Sequence, residues 1–105
     1  MLRNGTAIVE IPMRVRIWKR GRQHLAVVRD EVVVEELMKY VGVRVRLVIN
    51  HGGIELPIEA KPIIEREGNR TYILFTLPRR LNILWQGITE ARAKVIIEKR
   101  GMGEA

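Results

Sequence analysis

The chain carries one motif twice. The stretch from Ile17 to Ile49 recurs from Ile64 to Ile97, and each copy reads as strand, basic glycine turn, strand, short helix, strand. Gly21 and Gly68 stand 47 residues apart, and at that offset Ile17 falls on Ile64, Lys19 on Arg66, Leu25 on Tyr72 and Val27 on Leu74. The apolar set Val34, Leu37, Met38, Val41 falls on Leu81, Leu84, Trp85, Ile88. One inserted residue in the second copy moves the offset to 48, which sets Arg46 on Lys94, Leu47 on Val95 and Ile49 on Ile97. A unit written twice builds two similar surfaces about a pseudo-twofold axis, an arrangement suited to a two-fold ligand such as duplex nucleic acid. The expectation is one domain over residues 1–105, made of repeats at about 14–58 and 61–99, with further oligomerisation left open.

The elements follow from pattern. Thr6 to Glu10 reads as a strand that Pro12 ends or confines to a sheet edge. Met13 to Trp18 alternates apolar and basic, so one face enters the core. Lys19-Arg20-Gly21-Arg22 is a turn, and Leu25 to Val28 the returning strand. Asp30 caps a helix whose apolar positions Val34, Leu37, Met38 and Val41 keep helical spacing, and Gly42 stops it. Val32 to Val34 are β-branched and weaken that helix. Val43 to Ile49 alternates, Asn50-His51-Gly52-Gly53 marks a hairpin, and Ile54 to Ile58 returns with Pro57 at an edge. In the second copy Glu67-Gly68-Asn69-Arg70 turns, Thr71 to Thr76 is a strand and Pro78 opens a helix. Leu81, Leu84 and Trp85 line that helix, Gly87 ends it, and Arg92 to Lys99 is the last strand. Residues 1–4 and 100–105 read as tails. The fold class is mainly β with two short helices, β-barrel-like and pseudo-twofold.

Charge points to the partner. The net charge is +7 and the isoelectric point about 10.6, so the chain seeks polyanions. Residues 1–52 carry 10 Lys or Arg against 5 acids and residues 53–105 carry 9 against 7, which places most of the excess in the first copy. There is no cysteine, hence no disulfide, thiolate metal site or cysteine nucleophile. No apolar run approaches the roughly 18 residues that span a bilayer, and no secretory leader pattern opens the chain. A cytoplasmic location follows by default. Plentiful Ile, Val, Arg and Glu lean towards a thermophile.

Lys19, Arg20 and Arg22 at the first turn are positioned to clamp phosphates, releasing counterions as they do so. Arg79 and Arg80 add charge to a helix start that is already positive, a placement that an anionic partner explains. Arg14, Arg16, Arg44 and Arg46 either form a basic sheet face or pair across strands with glutamates. Trp18 beside the basic turn either stacks on an exposed base or anchors the core, and Trp85 is core. Tyr72 and Phe75 lie on opposite strand faces, so one of them is expected to be buried. His24 and His51 lack ligand spacing, and His51 reads as a turn residue. No nucleophile set, phosphate-cradling glycine loop or carboxylate pair is present, so neither a cofactor nor an enzyme is expected.

The second copy reads Arg66-Glu67-Gly68-Asn69-Arg70-Thr71-Tyr72-Ile73-Leu74-Phe75-Thr76-Leu77-Pro78-Arg79-Arg80-Leu81, and the first has Lys19-Arg20-Gly21-Arg22, then Asp30-Glu31, Leu37 and Gly42-Val43. Over roughly residues 14–99 this resembles the AbrB-like (SpoVT/AbrB) swapped-hairpin module of bacterial and archaeal transition-state regulators and antitoxins. The resemblance implies two intertwined units forming one small barrel, here within one chain, with basic turns and helix starts facing DNA. By position it assigns Lys19, Arg20, Arg22, Arg66, Arg70, Arg79 and Arg80 to nucleic acid. Glu65 and Glu67 at the second turn, and Asp30 and Glu31 at the first helix, depart from that pattern. They make the halves electrostatically unequal, which suits an asymmetric partner such as folded RNA. A DNA-binding regulator, a small archaeal ribosomal protein binding rRNA and an antitoxin-like protein-interaction module are the functions that remain.

Overall fold

The computed structural model describes the backbone of residues 6–100 and the side chains of residues 7–98. The expected tails lie almost wholly outside those residues. Seven strands form one antiparallel sheet: β1 (Thr6–Arg20), β2 (Gln23–Val28), β3 (Val45–His51), β4 (Ile54–Ala60), β5 (Ile63–Glu67), β6 (Arg70–Thr76) and β7 (Glu90–Arg100). Their order across the sheet is β4-β3-β7-β1-β2-β6-β5. The first helix, α1 (Glu31–Leu37), runs into a 3₁₀ turn at Met38–Tyr40. The second helical segment is a 3₁₀ turn at Arg79–Leu81 followed by α2 (Asn82–Trp85).

The sheet is open, and this corrects the expected barrel. Strands β4 and β5 are its two edges, and no ladder joins them among the described residues. The long first strand is the cause. It pairs with β7 from Thr6 to Arg16 and with β2 from Arg16 to Arg20, so it splices both halves into a single ladder. At the β4 edge Pro57 has no N–H to offer an approaching strand, and edge prolines block such pairing. The same long strand explains why Pro12 does not end it. Pro12 faces Lys94 of β7 on one side and has no strand on the other, so its missing donor leaves no ladder bond unmade.

The turns match their residues. Arg20 pairs with Gln23 and Glu67 with Arg70, leaving the two-residue loops Gly21-Arg22 and Gly68-Asn69. In each, only the glycine has positive φ, +59° and +62°, the type II′ pattern that suits the twist of a hairpin. The registers across the middle of the sheet bear on the sequence offsets. Val27 sits directly opposite Leu74, and Leu47 directly opposite Val95.

Side chains alternate between a face packed against the helices and the opposite face. The covered face holds the main core, including Val15 of β1, Val28 of β2, Leu47 and Ile49 of β3, Ile73 and Phe75 of β6, and Val95 of β7. Val34, Leu37 and Trp85 pack onto it from the helices. On the opposite face Leu25, Val27, Tyr72 and Leu74 form a second, smaller cluster, with Trp18 against it. Tyr72 and Phe75 are therefore both buried, because each sheet face has its own cluster there.

The first helical stripe is shorter than expected, while Leu81, Leu84 and Trp85 of the second pack against the core. Val34 and Leu37 are buried, but Met38 and Val41 are exposed. The α-helix stops at Leu37 and tightens to 3₁₀, which changes the angular step, and Val41 has already returned to extended backbone. Asp30 caps α1 as expected, accepting from the N–H groups of Val32 at 2.9 Å and Val33 at 3.2 Å. Pro78 precedes the second helical segment in an extended conformation and is not part of its first turn.

Candidate functional site

The β1–β2 turn and the second helical segment meet at one end of the molecule. Strands β2 and β6 are antiparallel, so the end of β6 lies beside the start of β2. Four hydrogen bonds fasten the junction. The Leu77 N–H donates to the His24 carbonyl at 3.0 Å, and Gln23 Nε2 donates to the Leu77 carbonyl at 2.6 Å. Asn82 Nδ2 donates to the Arg22 carbonyl at 3.1 Å. That bond makes Asn82 Oδ1 the acceptor for His24 Nδ1–H, 3.0 Å away, and so sets the tautomer of this buried histidine.

The junction gathers Lys19, Arg20, Arg22, Arg79 and Arg80, all exposed, at a single end. Glu65 reaches this group and bonds Arg20 at 2.9 Å. That hydrogen bond, reinforced by the charge of Glu65, raises the Arg20 guanidinium above its ordinary pKa. The contact also draws β5 towards β1 over the small apolar cluster, by side chains and not by backbone pairing. Lys19, Arg22, Arg79 and Arg80 form no ion pair among the described residues.

The other two assigned residues, Arg66 and Arg70, flank the β5–β6 turn. Along the β2–β6 ladder that turn lies opposite to the β1–β2 turn, yet the Arg20–Glu65 bond and the Trp18–Tyr72 contact bring β5 and the start of β6 up to the end of β1. The β5–β6 end has mixed charge, with Arg29, Glu31, Glu35 and Arg70 lining one shallow cleft.

Of the strand arginines, Arg46 pairs with its cross-strand partner Glu59 at 3.4 Å, and Arg14 lies 4.0 Å from Glu90. Arg44 precedes β3 and is exposed, and Arg16 lies on β1. Trp18 is half-buried and packs edge-on against Tyr72, ring centres 5.7 Å apart, so its ring faces a neighbour inside the fold. Trp85 is fully buried in the core. His51 ends β3, donates Nε2–H to the Leu84 carbonyl at 2.9 Å and packs edge-on against Trp85.

Sequence reasoning missed Gln23, His24 and Asn82 as the fasteners of the basic end. Asn82 and His24 are 58 residues apart, and no local pattern links them. Among the described residues no group of three or more His, Cys, Asp or Glu could hold a metal ion, and no helix is long and apolar enough to cross a membrane.

Comparison with known proteins finds no matching family model, curated protein or solved structure. Together with the open sheet, this overturns the AbrB-like, swapped-hairpin assignment and the barrel that it implied.

Proposed function

We propose that the chain is a cytoplasmic nucleic-acid-binding protein that grips phosphates from one end, through Lys19, Arg22, Arg79 and Arg80 with Arg20 beside them. On this reading residues 1–105 form one unit of two repeats, 14–58 and 61–99, of which only one end has become a cationic surface. The supporting observation is the Asn82–Arg22 bond, which ties two separate basic segments into one surface without acidic partners for four of the five cations. Basic residues held on a rigid frame neutralise phosphates at low ordering cost. The β5–β6 end is mixed in charge, so the contact is one-sided. A folded RNA or an asymmetric stretch of duplex suits it better than a palindrome does.

Fluorescence anisotropy with duplex DNA and with a structured RNA, across a salt series, tests the proposal. Each phosphate contact contributes about 0.9 to the slope of log K against log salt on duplex DNA. The R79A/R80A variant is expected to flatten that slope by roughly 1.8. Lys61→Ala, an exposed cation on the β4–β5 link, is expected to leave it unchanged. Equal slopes for wild type and R79A/R80A, or an equal effect from Lys61→Ala, overturn the assignment.

A further inference from the structure

We propose that a second cleft, away from the basic end, binds the phosphate group of a small phosphorylated compound. The cleft has a volume of about 650 Å³, and its charged lining is Arg14, Arg16, Arg29, Arg70, Asp30 and Glu90. These residues come from four separate parts of the chain: the middle of β1, the β2–α1 link, the start of β6 and the start of β7. The fold, not a run of basic sequence, is what brings the four guanidinium groups together.

Of the two carboxylates, Asp30 is engaged by the backbone and Glu90 is not. Asp30 accepts from two backbone N–H groups as the α1 cap. Glu90 lies 4.0 Å from Arg14, in a pair whose side chains are 63% and 49% exposed and so only weakly neutralised. Arg16, Arg29 and Arg70 form no ion pair among the described residues. Three unpaired cations around one concavity repel each other, and the core does not require them there. Buried Val27 contributes apolar lining between them. Within this lining four cations face two carboxylates, a formal excess of two positive charges that matches a dianionic phosphate, while Glu31 and Glu35 line the neighbouring cleft that shares Arg29 and Arg70. Guanidinium forks bind phosphate oxygens bidentately. The volume lies within the range of small-molecule sites, about 300–1,000 Å³. The residues differ from those of the basic end, so this inference stands or falls separately from the nucleic-acid reading.

Isothermal titration calorimetry with inorganic pyrophosphate, at low and constant ionic strength, provides the test. Saturable one-to-one binding is expected, weakened about tenfold or more in each of Arg16→Ala, Arg29→Ala and Arg70→Ala. Two controls are expected to bind as wild type: Arg44→Ala, an exposed cation outside the cleft, and R79A/R80A, which removes the basic end. Nucleic acid and pyrophosphate are expected to bind simultaneously, and a nucleic acid that displaces pyrophosphate overturns the assignment to a small compound. The absence of saturable binding, or equal losses in the controls, overturns the proposal.

Discussion

Replacing Asn82 by alanine is the most direct test of the junction that assembles the basic end. Asn82 spends both halves of its amide there, donating to the Arg22 carbonyl and accepting from His24. His24 is only 7% exposed, so the variant leaves a buried ring N–H without its acceptor. An unsatisfied buried donor costs about 1–3 kcal/mol, and the more exposed bond to Arg22 adds about 0.5–1.5 kcal/mol. The expected loss is roughly 2–4 kcal/mol. With a urea slope of about 2 kcal/mol/M for a small domain, the unfolding midpoint falls by roughly 1–2 M. A double-mutant cycle with His24→Phe isolates the pair. If His24 and Asn82 act together, the double variant is hardly less stable than N82A alone, and the coupling is about 1–3 kcal/mol. An N82A midpoint within error of wild type, or a coupling near zero, would refute the reasoning.

Gly21→Ala forces a side chain into left-handed backbone at φ +59° and is expected to cost about 1–2 kcal/mol, read as a fall in thermal midpoint. Leu47→Ala empties part of the fully buried core and is expected to cost about 2–5 kcal/mol by urea unfolding. Val27→Leu alone overpacks the small cluster by about 1–3 kcal/mol, whereas the exchange V27L/L74V keeps the summed volume and is expected to recover most of that loss.

Much of the strand content was legible because the pattern is local. Alternation marked Met13 to Trp18, and glycine at the first loop position marked both hairpins. The Asp30 cap was equally visible, because a cap acts within three residues. What escaped depends on contacts distant in sequence. Pro12 reads locally either as a strand end or as a sheet-edge residue, because one-sided pairing with β7 is not visible in local sequence. Closure of the sheet was misjudged for the same reason: the edges are set by the length of β1 and by Pro57 in β4. At the candidate site the cations were visible as residue types, but their grouping was not. The antiparallel pairing of β2 with β6 separates Arg70 from Arg22 and places Arg79 and Arg80 near Arg22. The cleft arginines Arg29 and Arg70 meet only through that same pairing.

The two central crossings have a consequence for how the chain is encoded. Residues 27 and 74, and again 47 and 95, are counterparts in the sequence offsets, and each lies against its own counterpart. In an assembly of two identical subunits, a residue on the symmetry axis meets a copy of itself, so bulk there comes only in matched doses. Here both meetings join one valine to one leucine. On the two-repeat reading, tethering the copies in one polypeptide frees each crossing to mix a small side chain with a large one, a fit that two identical subunits cannot have.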